Sequence, residues 1–250
     1  AVSYCQEAAQ LHETGRTFMI QGDYANAIIV LNKALSLQPS NIDIAKDLSL
    51  NYYFSNNTKK AMETMKPLLD REDADDKCYQ IAGDILLAND DPKECEKLYK
   101  KGIKKFPTSG SLYNELGKLM WAQKSYEAIK IWEKGIEVAP SFSKNYFNAS
   151  KYYYFSTDKV WSIIYGEIFL NMEPMSTSSP EIKNILLDSY KKLFVDADVE
   201  KNKNVNSPFV QAFLQTVFKQ FSVISSGINT ESLIMLRTRF VLDWFNDFGT

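Results

Sequence analysis

Residues 11–39 read LHETGRTFMIQGDYANAIIVLNKALSLQP, and this stretch decides the fold. It predicts one helix ending near Ile20, the break Gln21-Gly22-Asp23, and a second helix from Tyr24 to Leu37. Gly22 suits the left-handed position that closes a helix, and Asp23 suits the cap that opens the next. Pro39 stops the second helix, since proline cannot continue one and biases its predecessor away from helical angles.

The same arrangement recurs. Pro39, Pro107, Pro140 and Pro174 each follow an apolar helical run, with separations of 68, 33 and 34. Asp73 stands where a proline of the second unit is expected. Ala27, Ala61, Cys95, Ala128 and Ser162 form a second column, and Gly15, Ser49, Gly83, Gly117 and Ser150 a third, at intervals of 33 or 34. Phe18, Tyr52, Leu86, Met120 and Tyr153 form a fourth. The second and third columns hold small residues, as required where two helices cross closely, and the fourth supplies a bulky knob. An internal period of this length marks a helical repeat array.

The period, the small columns, the Tyr/Phe column and the terminal Pro together resemble the tetratricopeptide repeat over residues 8–174. The resemblance implies an all-α fold: a right-handed α-α superhelix of about five helix pairs, with domain 1–174 formed by the repeats. The segment 175–250 is helical but out of phase. Pro180 opens a run to Val195, residues 196–207 read as a loop, and Pro208 opens a stripe through Phe209, Phe213, Val217 and Phe221. Asn229 or Thr230 caps a last helix through Leu233, Leu236, Phe240 and Trp244. A repeat array must cover its apolar ends. This segment reads as that cap, with Phe213, Phe221, Phe240 and Trp244 buried, and homo-oligomerisation through the C-terminal helices as its alternative role.

Composition excludes several functions. Lys plus Arg is 29, Asp plus Glu is 31, and the net charge is -2, which is no footprint for nucleic acid. No apolar run is long enough for a transmembrane helix. Cys5, Cys78 and Cys95 are too few and too widely spaced for a disulfide framework or a metal site. His12 is the single histidine, so neither a catalytic triad nor a zinc-protease motif can be completed. Gly117-Lys118 lacks the upstream Gly and following Ser or Thr of a phosphate loop. The chain therefore reads as a non-enzyme without cofactor or metal. It begins at Ala1 rather than Met, which points to a removed leader and an exported or periplasmic protein, with a cytoplasmic one as alternative.

The resemblance also implies where a partner is held. In that family the first helix of each pair, helix A, lines the concave face. The inward positions carried over to this chain include Arg16, Lys46, Tyr53, Lys118, Trp121, Phe147, Lys151 and Tyr154. These bases and aromatics suit a protein or peptide partner of acidic character. A set of Lys, Asn and Arg that clamps a C-terminal carboxylate in one subfamily is matched here only at Lys77. The alternative function is a carrier of a small or lipidic ligand, in a pocket between the repeats and the C-terminal helices.

Overall fold

A computed structural model describes residues 2–156, 158–195 and 207–249. Regular structure among the described residues is entirely helical. Contacts divide the chain into two units, 1–128 and 129–250. The first holds α1 (Val2–Ile20), α2 (Tyr24–Leu37), α3 (Ile42–Phe54), α4 (Thr58–Met65), α5 (Asp76–Ala88), α6 (Pro92–Lys105) and α7 (Gly110–Ala122). The second holds α8 (Ala128–Val138), α9 (Ser143–Phe155), α10 (Lys159–Met172), α11 (Ser179–Val195), α12 (Pro208–Phe218) and α13 (Thr230–Phe248). The Ala128/Ile129 division follows contacts, whereas the boundary at 174 follows the change of sequence period.

The turns after α1, α3, α5 and α7 are four copies of one device. Gly22, Asn56, Asp90 and Lys124 are left-handed, with φ of 76°, 60°, 57° and 61°. In each turn that residue's N–H bonds three residues back and the next N–H bonds five back, as in Asp23 to Phe18 and Ser125 to Met120. This is the Schellman closure, and its last residue doubles as the next helix cap. Asp23, Asn57 and Asp91 each accept a backbone N–H three residues on. Only the first turn has the glycine that makes it legible in sequence. A lysine held left-handed costs about 1–2 kcal/mol. Lys124→Gly should therefore raise stability by about 1 kcal/mol, read as a higher urea midpoint with unchanged slope.

The two small-residue columns meet at the crossing within a pair. Ser49 Oγ donates to the Ala61 carbonyl at 2.8 Å, and Ser150 Oγ to the Ser162 carbonyl at 2.8 Å. Cys95 Sγ donates to the Gly83 carbonyl at 3.6 Å. A serine in the glycine column is tolerated because its hydroxyl finds the opposite helix's carbonyl instead of remaining unpaired. A Cβ on Gly15 would lie 2.6 Å from Leu31 Cγ. The core of the first two pairs holds Ala27, Leu31, Ala34, Ile44 and Leu48, with Phe18 and Tyr52 packed on it.

The second pair is shorter than the period predicts. Pro67 removes a backbone donor, so α4 ends at Met65 and a 3-10 turn spans Lys66–Leu68. Around Asp73, the Arg71 guanidinium holds both Asp73 oxygens, at 2.8 and 2.6 Å, and the Ser40 carbonyl at 2.6 Å.

In the second unit α9–α13 share one core, including Ile163, Phe169, Leu186, Phe213, Leu233 and Leu236. Phe213 is buried, and Phe240 and Trp244 are half-buried. Phe221 differs from expectation, being 60% exposed. α12 stops at Phe218 and a 3-10 turn spans Phe221–Ile224, so the four-residue stripe loses its phase before reaching Phe221. Asn229 and Ser232 form the reciprocal capping box that opens α13. The expected loop 196–207 lies, apart from Ser207, outside the described residues.

Candidate functional site

Within the first unit α1, α3, α5 and α7 stand as successive neighbours. Three of the bases expected to face a partner are held by acids there. Arg16 donates to Asp47 at 2.8 Å and to Glu13 at 3.2 Å. Asp47 also pairs with His12 Nε2 at 2.7 Å. Lys46, its side chain only 13% exposed, bridges Asp43 at 2.9 Å and Asp75 at 2.6 Å. Burial opposes the Lys46 charge, but its hydrogen bonds to Asp43 and Asp75 outweigh that and raise its pKa. Lys118 pairs with Glu115 at 2.7 Å. The surface is thus one of mixed, mutually neutralised charge rather than a basic strip.

Asp84, on α5, is the exception. Burial, and then the charge of Glu115, hold its carboxyl above the usual range. Because the folded pKa is raised, the stability penalty is complete above that pKa and vanishes as pH falls below the ordinary 3.8. Asp84→Asn should raise the melting temperature at pH 7, and the gain should disappear in acid. A pH series of melting curves checks this.

The aromatic expectations divide by unit. Trp121 is 37% exposed at the end of α7, and Tyr53 is half-buried at the end of α3. They belong to a longer row at the ends of the A helices: Ile20 is 84% exposed, Phe54 44% and Leu87 41%. Tyr24 packs against Phe54 with ring centroids 5.3 Å apart and the rings tilted by 32°. The sequence reading missed Ile20 and Phe54, which sit one position beyond the columns it followed. Their 34-residue spacing was the available signal.

In the second unit the expected contacts turn inward. Phe147 packs against buried Phe169 at 5.3 Å, and Lys151 lies over the Phe147 ring at 5.0 Å while pairing with Glu181 at 2.6 Å. The Tyr154 hydroxyl donates to Asp188 at 2.8 Å, under Lys192 at 4.7 Å from its ring. Phe147 thus joins α9 to α10, and Lys151 and Tyr154 join α9 to α11, which takes the neighbouring place a further A helix would fill.

An apolar cavity of about 540 Å³ lies in this unit, lined by Ile164, Ile168, Phe213, Phe240 and Trp244 among others. On its wall Arg237 Nε donates to Glu167 at 2.6 Å, and the Tyr190 hydroxyl to the same oxygen at 3.2 Å. Among the described residues no three His, Cys, Asp or Glu come together as a metal site, and no helix is long and apolar enough to cross a membrane.

The tetratricopeptide-repeat family model matches residues 18–85. No curated protein sequence matches the chain. Among solved structures, Pseudomonas aeruginosa PilF aligns with a TM-score of 0.59 at 14% identity, over 82% of this chain and 99% of its own. A thermophilic TPR protein of Thermus thermophilus gives 0.58 at 13%, over 72% and 99%. MamA gives 0.51 at 21%, over 64% and 94%. At these identities the structures speak to fold, and the family match adds the repeat itself over the segment it covers: residues 18–85 carry tetratricopeptide repeats, within a chain whose helical fold is like that of such proteins.

Proposed function

We propose that this chain is a protein-interaction scaffold that holds a peptide or protein segment along the A helices of its first unit. The observation that carries the reading is the row of exposed apolar side chains at the ends of successive A helices, Ile20, Phe54, Leu87 and Trp121. A single exposed apolar residue is ordinary, but exposed apolar residues recurring at the ends of four successive A helices, at two adjacent repeat positions (Ile20 and Phe54 at one, Leu87 and Trp121 at the other), mark a contact surface. The mixed charges beside it, Arg16 with Asp47 and Lys118 with Glu115, suit a polar rim. With those bases paired, an acidic partner loses its main support. An apolar segment with flanking groups of both signs fits better, and a cation on it would relieve Asp84. The segment 175–250 serves as the cap of the array.

The carrier alternative rests on the 540 Å³ cavity, whose wall includes exposed Phe209 and Val241. A carrier encloses most of its ligand, so this half-open groove favours the scaffold reading.

The test begins with a partner captured from the native host. Trp121→Ala should weaken it at least tenfold, mainly through faster dissociation, as aromatic anchors do. Its melting temperature, measured alongside, separates lost contact from lost stability. A partner footprint confined to the second helices of the pairs, with Trp121→Ala binding like wild type, would sink the proposal.

A further inference from the structure

α13 is apolar on two sides. Leu233, Leu236, Phe240 and Trp244 face the second unit's core. Ile234, Met235, Val241, Leu242, Phe245 and Phe248 point elsewhere and are between 42% and 67% exposed. At about 100° per residue, apolar side chains cover roughly 260° of the helix circumference. A surface helix normally needs only a stripe of about 100° or somewhat more, and a helix apolar nearly all round is a buried one. Of the charged residues, Arg239 and Asp243 fall in the remaining arc, whereas Asp247 and Arg237 interrupt the core-facing side and Glu231 the outward one. Lys219 reaches Asp247 and Gln220 reaches Asp243.

We infer that the outward face of α13 is a dimer interface, in which two copies of this chain pair their α13 helices antiparallel about a twofold axis beside Val241. The spacing is the first support. Ile234, Thr238, Val241, Phe245 and Phe248 are separated by 4, 3, 4 and 3 residues, the seam spacing of paired helices. Ile234 and Phe248 lie seven residues on either side of Val241, so an antiparallel partner sets each against the other and Val241 against itself, while Thr238 and Phe245, three and four residues from the axis, interleave rather than face each other. A symmetric dimer requires such a self-complementary patch.

Area is the second support. If wholly covered, the six exposed residues, each 42–67% exposed, would contribute several hundred Å² per copy, the order of the roughly 800 Å² each partner gives to a stable interface. Val241 and Phe209, both exposed, also line the α10–α13 cavity, so the patch runs on into a groove. Charge is the third support. Within the patch only Glu231, in the first turn, is charged, and an interface centre is depleted of charge while its rim is polar. Antiparallel packing also sets opposite helix dipole ends together.

Sedimentation equilibrium of the purified chain tests this without any other partner. Wild type should have twice the chain mass at micromolar concentration. Leu242→Asp with Phe245→Asp should weaken dimerisation at least about a hundredfold, because each change counts twice in a symmetric interface. Its circular dichroism should be unchanged, since both side chains stand largely in solvent within one chain. A monomeric wild type at high concentration overturns the inference, as does a dimer that survives the double variant. If the double variant loses helix, Val241→Cys in a Cys5→Ser background decides. A short bis-maleimide should join two copies through residue 241, and a dimer that resists this linking overturns the assignment. Neither result bears on the A-helix row, which α13 does not enter.

Discussion

Gly83→Leu should destabilise the protein by about 3 kcal/mol, the upper end of the usual cost of overpacking a core. A Cβ alone at this position would lie 2.2 Å from the Tyr99 hydroxyl oxygen, 2.3 Å from Cζ and 2.4 Å from Cε1. Tyr99 is fully buried across the α5–α6 crossing, so its ring has nowhere to swing. Thermal melting should fall by about 6–12 °C for a chain of this size. Gly83→Ala is the sharper variant, because alanine is preferred to glycine within a helix by about 1 kcal/mol. It should still be less stable than wild type, since the clash exceeds that preference. Tyr99→Phe should not rescue Gly83→Leu, because the two ring carbons remain. Tyr99→Leu should rescue it in part. Strict additivity of Gly83→Leu and Tyr99→Leu would mean that the two positions do not meet and that the crossing is wrongly assigned.

Phe169→Ala should cost about 3–5 kcal/mol, as deletion of a fully buried phenylalanine does. Phe169 is 1% exposed in the core that joins α9 and α10 to the C-terminal helices. Urea unfolding should show a lower midpoint. Phe147→Ala should cost less, since Phe147 is half-buried. With ring centroids 5.3 Å apart, the pair should show a coupling of about 0.5–1.5 kcal/mol in a double-mutant cycle. Zero coupling would return Phe147 to the surface role that its repeat position suggests.

Much of the fold is legible because its determinants are local. The small columns name the crossings, and Ser49 and Ser150 show the rule holding when glycine is replaced. Asn229 opens α13 through a cap read from its own neighbourhood. The departures are also local in origin. Pro67 cuts the second pair short within its period, and Asn56, Asp90 and Lys124 do not advertise left-handed turns as Gly22 does.

The candidate surface was less legible. Repeat positions select which residues lie on an A-helix face, and they selected Arg16, Lys46 and Lys118 without their acids. Asp47 lies on the neighbouring helix, and Asp75 caps the helix after that. The charges of Arg16 and Lys46 are answered by residues 31 and 29 positions away, across a packing distance that no helical periodicity encodes, whereas Glu115 lies three residues before Lys118 on the same helix and was within reach of the sequence.

The sequence by itself determined that this chain is a stack of helix pairs with tetratricopeptide spacing, because helix ends, turns and crossings depend on neighbours within one repeat. Tertiary structure alone decided which charges neutralise one another across repeats, that Lys151 and Tyr154 join α9 to α11 while Phe147 packs on Phe169 of α10, and that α13 keeps a second apolar face exposed. Those outcomes depend on how the rotation of one helix meets the rotation of another, and that register is set only when the cores pack.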